Sequence, residues 1–254
     1  MEKDLLHDEN VVALFYGGSL GNGNTDVYSD IDVRVVVKPE KLKEYILNKA
    51  VRPQKWGKIL FVEDINPSSI YTVAHYDCFI KVDTFYYKPE DIQPSIWLKN
   101  IKIMKDTDEL MTRTLGKSMA LYYEPTIDEI ESWRVKFFAY LHEAYRRVMR
   151  KEYYYAINCI DKLRLSVAMG WYMEKGIQPN SFGDWAKYEG ERSKLDNWQQ
   201  TLLSNWDCGR DGLEISDVMK GIVCEFKKVH HSLCKKAGLK EDRAWINKIV
   251  EMVY

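Results

Sequence analysis

No apolar run in this chain approaches the roughly 20 residues that cross a bilayer, so no membrane partner is expected. The opening residues, MEKDLLHDENVVALFY, lack the basic region, apolar stretch and small-residue cleavage site of a secretory signal, and the expectation is a cytoplasmic protein. Proline and glycine are sparse, 7 and 14 of 254 residues, which argues against long linkers. A charge surplus is missing too. The 37 basic and 38 acidic side chains leave a formal charge of -1, so nothing is available to neutralise a long run of phosphates, and extended nucleic acid is excluded as a partner. The cysteines, Cys78, Cys159, Cys208, Cys224 and Cys234, are odd in number, scattered and without a C-x-x-C pair, which reads as reduced thiols. His230 and Cys234 share a helix face but have no second ligand pair, so zinc is not expected. What is present, 46% hydrophobic, 13% aromatic and 30% charged residues, belongs to a soluble globular protein with a real core.

The period of the hydrophobic pattern changes partway along the chain. In the first part short β-branched and aromatic runs predict strands: VVALFY ending in glycines, IDVRVVV, KILFVED, SIYTVAHYD, DCFIKVDTFYY and NIKIMKD, with a helix over 40–49. After Glu124-Pro125, Thr126 followed by Asp128, Glu129 and Glu131 signals a helix start with acids in its first turn. Helical spacing then covers about 127–150, 152–174 and 214–236, with shorter segments near 191–203 and 241–252, and no convincing strand. The expected class is α+β: a mixed-sheet domain over 1–120 and an all-α bundle over 121–254.

The stretch that carries chemistry is GGSLGNGNTDVYSDIDVRVVV, residues 17–37. A strand runs into Gly17-Gly18-Ser19, and a second strand opens with Asp30-Ile31-Asp32. Because successive strand side chains point to opposite faces, Asp30, Asp32 and Arg34 share one face while Ile31, Val33, Val35 and Val37 point into the core. The same alternation in CFIKVDTFYY sets Lys81, Asp83 and Phe85 opposite Ile80, Val82 and Thr84. An aspartate in the middle of such a strand is unusual, and Asp77, earlier on the same expected strand, is the reserve for its role. If the three carboxylates converge, each like-charged pair about 5 Å apart costs roughly 3 kcal/mol at an effective dielectric near 20, and a cation is needed. Magnesium between carboxylates and substrate phosphates fits. Gly18 can bring its backbone against a phosphate, and Ser19 can donate its hydroxyl. A P-loop is excluded because no lysine follows these glycines, and a dinucleotide fingerprint because Gly21-Asn22-Gly23 does not lead into its helix.

Gly18-Ser19, the Asp30-x-Asp32 pair opening a strand and a lone Asp83 on a later strand resemble the nucleotidyltransferase superfamily that includes DNA polymerase β. The tail of the first domain, IKIMKDTDELMTR, and the helical second half resemble bacterial aminoglycoside and lincosamide nucleotidyltransferases. The resemblance implies transfer of a nucleoside monophosphate, AMP from ATP, to a hydroxyl of a small molecule by in-line displacement. It assigns Asp30 and Asp32 to a pair of magnesium ions, Asp83 to the ion that activates the attacking hydroxyl, and Gly18, Ser19, Arg34 and Lys81 to the nucleotide. An aminoglycoside-type antibiotic is the leading acceptor, and a homodimer is compatible with the chain. The loop after Ser19 lacks the basic residue that some members place there. The rival reading is a regulatory or toxin-antitoxin type nucleotidyltransferase acting on a macromolecule.

In the helical half the candidates have plainer explanations. Asp161 and Arg164, three apart, fit an intrahelical ion pair, Glu143 fits a solvated helix face, and His142 fits a satisfied core histidine.

Overall fold

The computed structural model describes residues 1–64 and 66–253. It divides into two compact units, Met1–Leu121 and Tyr122–Tyr254. The first unit runs α1 (Glu2–Leu6), β1 (Val11–Tyr16), α2 (Gly18–Asn22), β2 (Ile31–Val37), α3 (Leu42–Leu47), β3 (Ile59–Glu63), β4 (Tyr71–Tyr76), β5 (Lys81–Tyr87), β6 (Lys102–Asp106) and α4 (Leu110–Met119). Its strands form one sheet in the order β3-β4-β5-β2-β1-β6. The sheet is mixed: β2 and β5 pair in parallel, whereas β1/β2, β1/β6, β3/β4 and β4/β5 are antiparallel.

The alternation of side chains divides the sheet into two faces with different fates. On one face Leu14, Tyr16, Val33, Val35, Val37, Ala74, Val82 and Tyr86 join Leu5 of α1 and Tyr45 of α3 in the main core of this unit. On the other, Ala13, Phe15 and Val36 pack with Ile92 and with Met111 of α4 in a smaller core. Farther along that second face the side chains turn polar, and this is where β2 presents Asp32 and Arg34. Central β1 tolerates burial on both faces because every residue in VVALFY is apolar or aromatic.

The second unit contains α5 (Ile127–Met149), α6 (Tyr153–Glu174), α7 (Asn197–Asn205), α8 (Gly212–Ala237) and α9 (Arg243–Glu251), and no strand among its described residues. The Thr126 signal is realised as a capping box: its hydroxyl accepts from the Glu129 N–H, and the Glu129 carboxylate accepts from the Thr126 N–H. α6 is buried nearly all round and packs against α5 and α8. Gly170 permits that approach, since a Cβ there would sit 2.6 Å from Val229 and 2.8 Å from Trp133. Trp133 Nε1 donates to the Ser166 carbonyl at 2.6 Å, and Phe137 stacks on Phe226 at 3.7 Å.

Three local expectations shift. The segment after Gly17, expected as an irregular loop, begins as the short helix α2. α7 starts at Asn197 rather than near 191, because Asp196 and Gln199 form a capping box that sets its first turn. β5 starts at Lys81 rather than near 78, because Asp77, Cys78 and Phe79 make the β4–β5 turn, with Phe79 at φ 65°. No helix among the described residues is long and apolar enough to cross a membrane.

Candidate active site

The parallel pairing of β2 with β5 sets Asp32 directly opposite Asp83, with Ile31 opposite Val82 and Arg34 opposite Phe85. Residues about 50 apart in sequence thus become neighbours about 4.8 Å apart across the ladder, on the polar stretch of the second face. Asp30 stands just before β2. Lys81, the first residue of β5, reaches both of its neighbours: its ammonium lies 2.8 Å from Asp30 Oδ2 and 3.2 Å from Asp83 Oδ2. The cation that the converging charges demand is, in this arrangement, supplied by the chain itself. Arg34 lies 3.8 Å from Asp32 and spreads over the Phe85 ring at 4.9 Å.

Burial raises the Asp83 pKa. Lys81 pulls it down, the charges of Asp30 and Asp32 push it further up, and the net direction is upward. Burial likewise opposes the charge on Lys81, yet the hydrogen bond to Asp30 and the charges of both aspartates outweigh it and hold the ammonium above its ordinary range. The Asp83 side chain is 18% exposed, and its Oδ1 is buried without a hydrogen-bond partner. A buried carboxylate oxygen left unpaired is costly, which marks the group as serving something other than stability.

Next to this pair lies the turn from β1 into α2. Gly17 continues the ladder by donating its N–H to the Asp32 carbonyl at 3.0 Å. Gly18 has φ +54°, and a Cβ on it would fall 1.9 Å from Asp32 Oδ2. Only glycine satisfies both the left-handed backbone and the close approach of the carboxylate. Ser19 follows in the first turn of α2, 8% exposed, with a buried hydroxyl that has no partner. The unpaired Ser19 hydroxyl, the unpaired Asp83 oxygen and the cradle formed by Gly18 against Asp32 are the features that a metal-bound polyphosphate would use, so the donor set fits a hard divalent cation. Among the described residues no three His, Cys, Asp or Glu side chains stand as a ready-made metal cage. Between Asp30 and Asp83 stands Lys81 instead.

The reserve candidate Asp77 is displaced from this face. It lies in the β4–β5 turn and pairs with Lys58 at 3.5 Å. In the helical unit Arg164 pairs with Asp161 at 2.7 Å, and its Nε donates to the Trp206 carbonyl at 3.0 Å. Both line a cavity of about 400 Å³ together with Trp185, Glu189, Leu203, Ser204 and Asp207. Hydrogen bonds from Arg147 and Arg146 hold the Glu143 carboxyl below its usual range, and His142 Nε2 lies 3.0 Å from the Ile249 carbonyl. These contacts account for each side chain. What sequence reasoning did not single out are two pairs of stacked rings on the face that carries Asp83: Tyr71 stacks on Phe85, and Phe61 stacks on His75. Their signal was the period-two pattern of β3, β4 and β5.

No family model matches the chain, and no curated protein matches it in sequence. Among solved structures it is similar to the crystal structure of an aminoglycoside 6-adenyltransferase from Bacillus subtilis. That likeness has 17% sequence identity and a TM-score of 0.48, and covers 99% of this chain and 94% of the other.

Proposed function

We propose that this protein is a nucleotidyltransferase that transfers AMP from ATP to a hydroxyl of a small molecule, with an aminoglycoside-type antibiotic as the leading acceptor. The observation that carries the proposal is the juxtaposition of Asp32 with Asp83 across the parallel β2/β5 pair, with the Gly18-Ser19 turn packed against Asp32. Asp30, Asp32 and Asp83 would hold magnesium. When bound there, magnesium supplies Lewis acidity at the phosphoryl oxygens and lowers the pKa of a coordinated hydroxyl.

The remaining roles belong to the chain. The Ser19 hydroxyl, unpaired in the fold, would donate to a phosphate oxygen, and the missing side chain of Gly18 would let the triphosphate approach Asp32. Lys81 and Arg34, which neutralise charge on the aspartates, would do the same for the triphosphate. Asp83 orients the attacking hydroxyl beside the phosphorus, so that attack and loss of pyrophosphate are in line.

The direct test is incubation with each labelled nucleoside triphosphate, magnesium and a mixed panel of aminoglycosides and lincosamides, followed by mass spectrometry. The expected product is an AMP adduct of an aminoglycoside that disappears on full chelation of divalent ions. An adduct that survives chelation would remove the metal from the proposal. Label recovered on protein, with none on any drug, would support the regulatory reading in its place.

Ser19→Ala sharpens the test at the phosphate end. Its hydroxyl has no partner to lose on folding, so the melting temperature should hold. ATP affinity should fall by about 1 to 3 kcal/mol, the scale of a hydrogen bond to a charged group. Unchanged affinity with a lowered melting temperature would make Ser19 a structural turn residue.

A further inference from the structure

The registers of β2, β5, β4 and β3 line up three cross-strand rows on the face that carries Asp83. The middle row is Asp32, Asp83, Val73 and Glu63. One flanking row is Arg34, Phe85 and Tyr71, and the other is Lys81, His75 and Phe61. Ring contacts confirm the flanks: Tyr71 stacks on Phe85 at 5.6 Å, and Phe61 on His75 at 4.2 Å. Between these two aromatic ridges the middle row is low, since Val73 has no atoms beyond its two methyls. The result is a trough with aromatic walls and a carboxylate at either end. Strand spacing puts Glu63 about 10 Å from Asp83.

The trough lies open. Tyr71 is 47% and Phe61 54% exposed, and the Glu63 carboxylate is half exposed, with His75 Nε2 at 2.6 Å. Stacked rings half open to water beside a carboxylate with one buried, unpaired oxygen are what a ligand would cover. The walls suit the flat apolar faces of saturated rings, and the far carboxylate suits a cation.

We propose that this trough is the acceptor subsite, and that Glu63 selects an acceptor carrying an amine about 10 Å from the hydroxyl it presents beside Asp83. The ligand class is a polyhydroxylated ring compound bearing an ammonium group, its ring faces lying against Tyr71 and Phe61. Glu63 is then a specificity-determining residue, two strands away from the reacting atoms. This inference rests on the nucleotidyltransferase reading and adds to it a location and a selection rule.

The experiment compares wild type, Glu63→Gln and Tyr71→Ala, using neomycin as the amine-bearing probe and N-acetylated neomycin as its uncharged counterpart. Calorimetry is run with magnesium and a non-hydrolysable ATP analogue, and steady-state transfer is measured alongside. Glu63→Gln is expected to weaken neomycin binding and raise its KM about tenfold, with kcat and ATP affinity within about twofold, because a charge-assisted hydrogen bond is lost only at the far end of the acceptor. Binding of the acetylated probe should be the same in wild type and Glu63→Gln, whereas Tyr71→Ala should weaken both probes. If wild type transfers AMP to neomycin and both variants keep its KM, the trough is not the acceptor subsite while the nucleotidyltransferase reading stands. If wild type neither binds magnesium-ATP nor transfers from it, the nucleotidyltransferase reading fails and this inference falls with it.

Discussion

Asp83→Asn should bind magnesium-ATP within about tenfold of wild type yet lose at least about a hundredfold in single-turnover rate, the lower end of what removing one electrostatic stabiliser costs. Asn is nearly isosteric, and the fold has little to lose. Asp83 Oδ1 makes no hydrogen bond, and its charge is opposed both by burial and by Asp30 and Asp32. The loss of its pairing with Lys81 at 3.2 Å is offset by relief of that repulsion, and Lys81 keeps Asp30 at 2.8 Å, so the melting temperature should move little. The effect on rate follows from the proposed reaction, in which the carboxylate would act where charge develops on the attacking oxygen, a demand of the transition state more than of the ground state. Calorimetric ATP affinity beside single-turnover transfer reads both halves. Near-normal turnover would exclude Asp83 from the reaction, and Asp77 could not replace it, being held in the β4–β5 turn with Lys58.

Asp32→Ala should abolish both magnesium-ATP binding and transfer. Asp32 is the carboxylate against which Gly18 is packed, at a distance that leaves no room for a Cβ, and it stands beside the unpaired Ser19 hydroxyl in the adjoining turn. A cation brought in with the triphosphate would be held in part by this carboxylate. The fold should survive: Asp32 and Arg34 are each about a quarter exposed and 3.8 Å apart, a pairing on the scale of about 1 kcal/mol or less. The expected result is no calorimetric heat for magnesium-ATP and no adduct, with a melting temperature within a few degrees of wild type. Retained nucleotide affinity would move the triphosphate away from the Gly18-Ser19 turn and separate this chain from the chemistry proposed for it. Together the two variants distinguish a ground-state role from a transition-state role on adjacent strands.

The α+β class and the helix starts were legible because they are written in short-range patterns. The two-residue alternation of IDVRVVV and KVDTFYY assigns Asp32, Arg34, Lys81 and Asp83 to the face opposite Val33, Val35 and Val82 wherever those strands lie, since the pleat itself imposes it. The capping box of Thr126 and Glu129 is equally local. The start of α7 lies later than its apolar spacing alone predicts, because the Asp196 and Gln199 capping box, also a local signal, sets the first turn at Asn197. That Gly18 had a special task could be suspected from Gly17-Gly18-Ser19, but its reason, a carboxylate where a Cβ would be, belongs to another strand.

Which strand lies beside which was decided only by the tertiary structure. Pairing β2 with β5 in parallel, and then β4 and β3 outward from β5, depends on how the whole sheet buries one face against α1 and α3, and no local period encodes that choice. The choice puts Asp32 opposite Asp83 rather than one residue away, sets Lys81 between two aspartates, and carries the carboxylate row on to Glu63 between two ridges of rings. A slip of one residue in any of these pairings would send the acids into the core and the valines to the surface, so the burial of the valines holds the site in register.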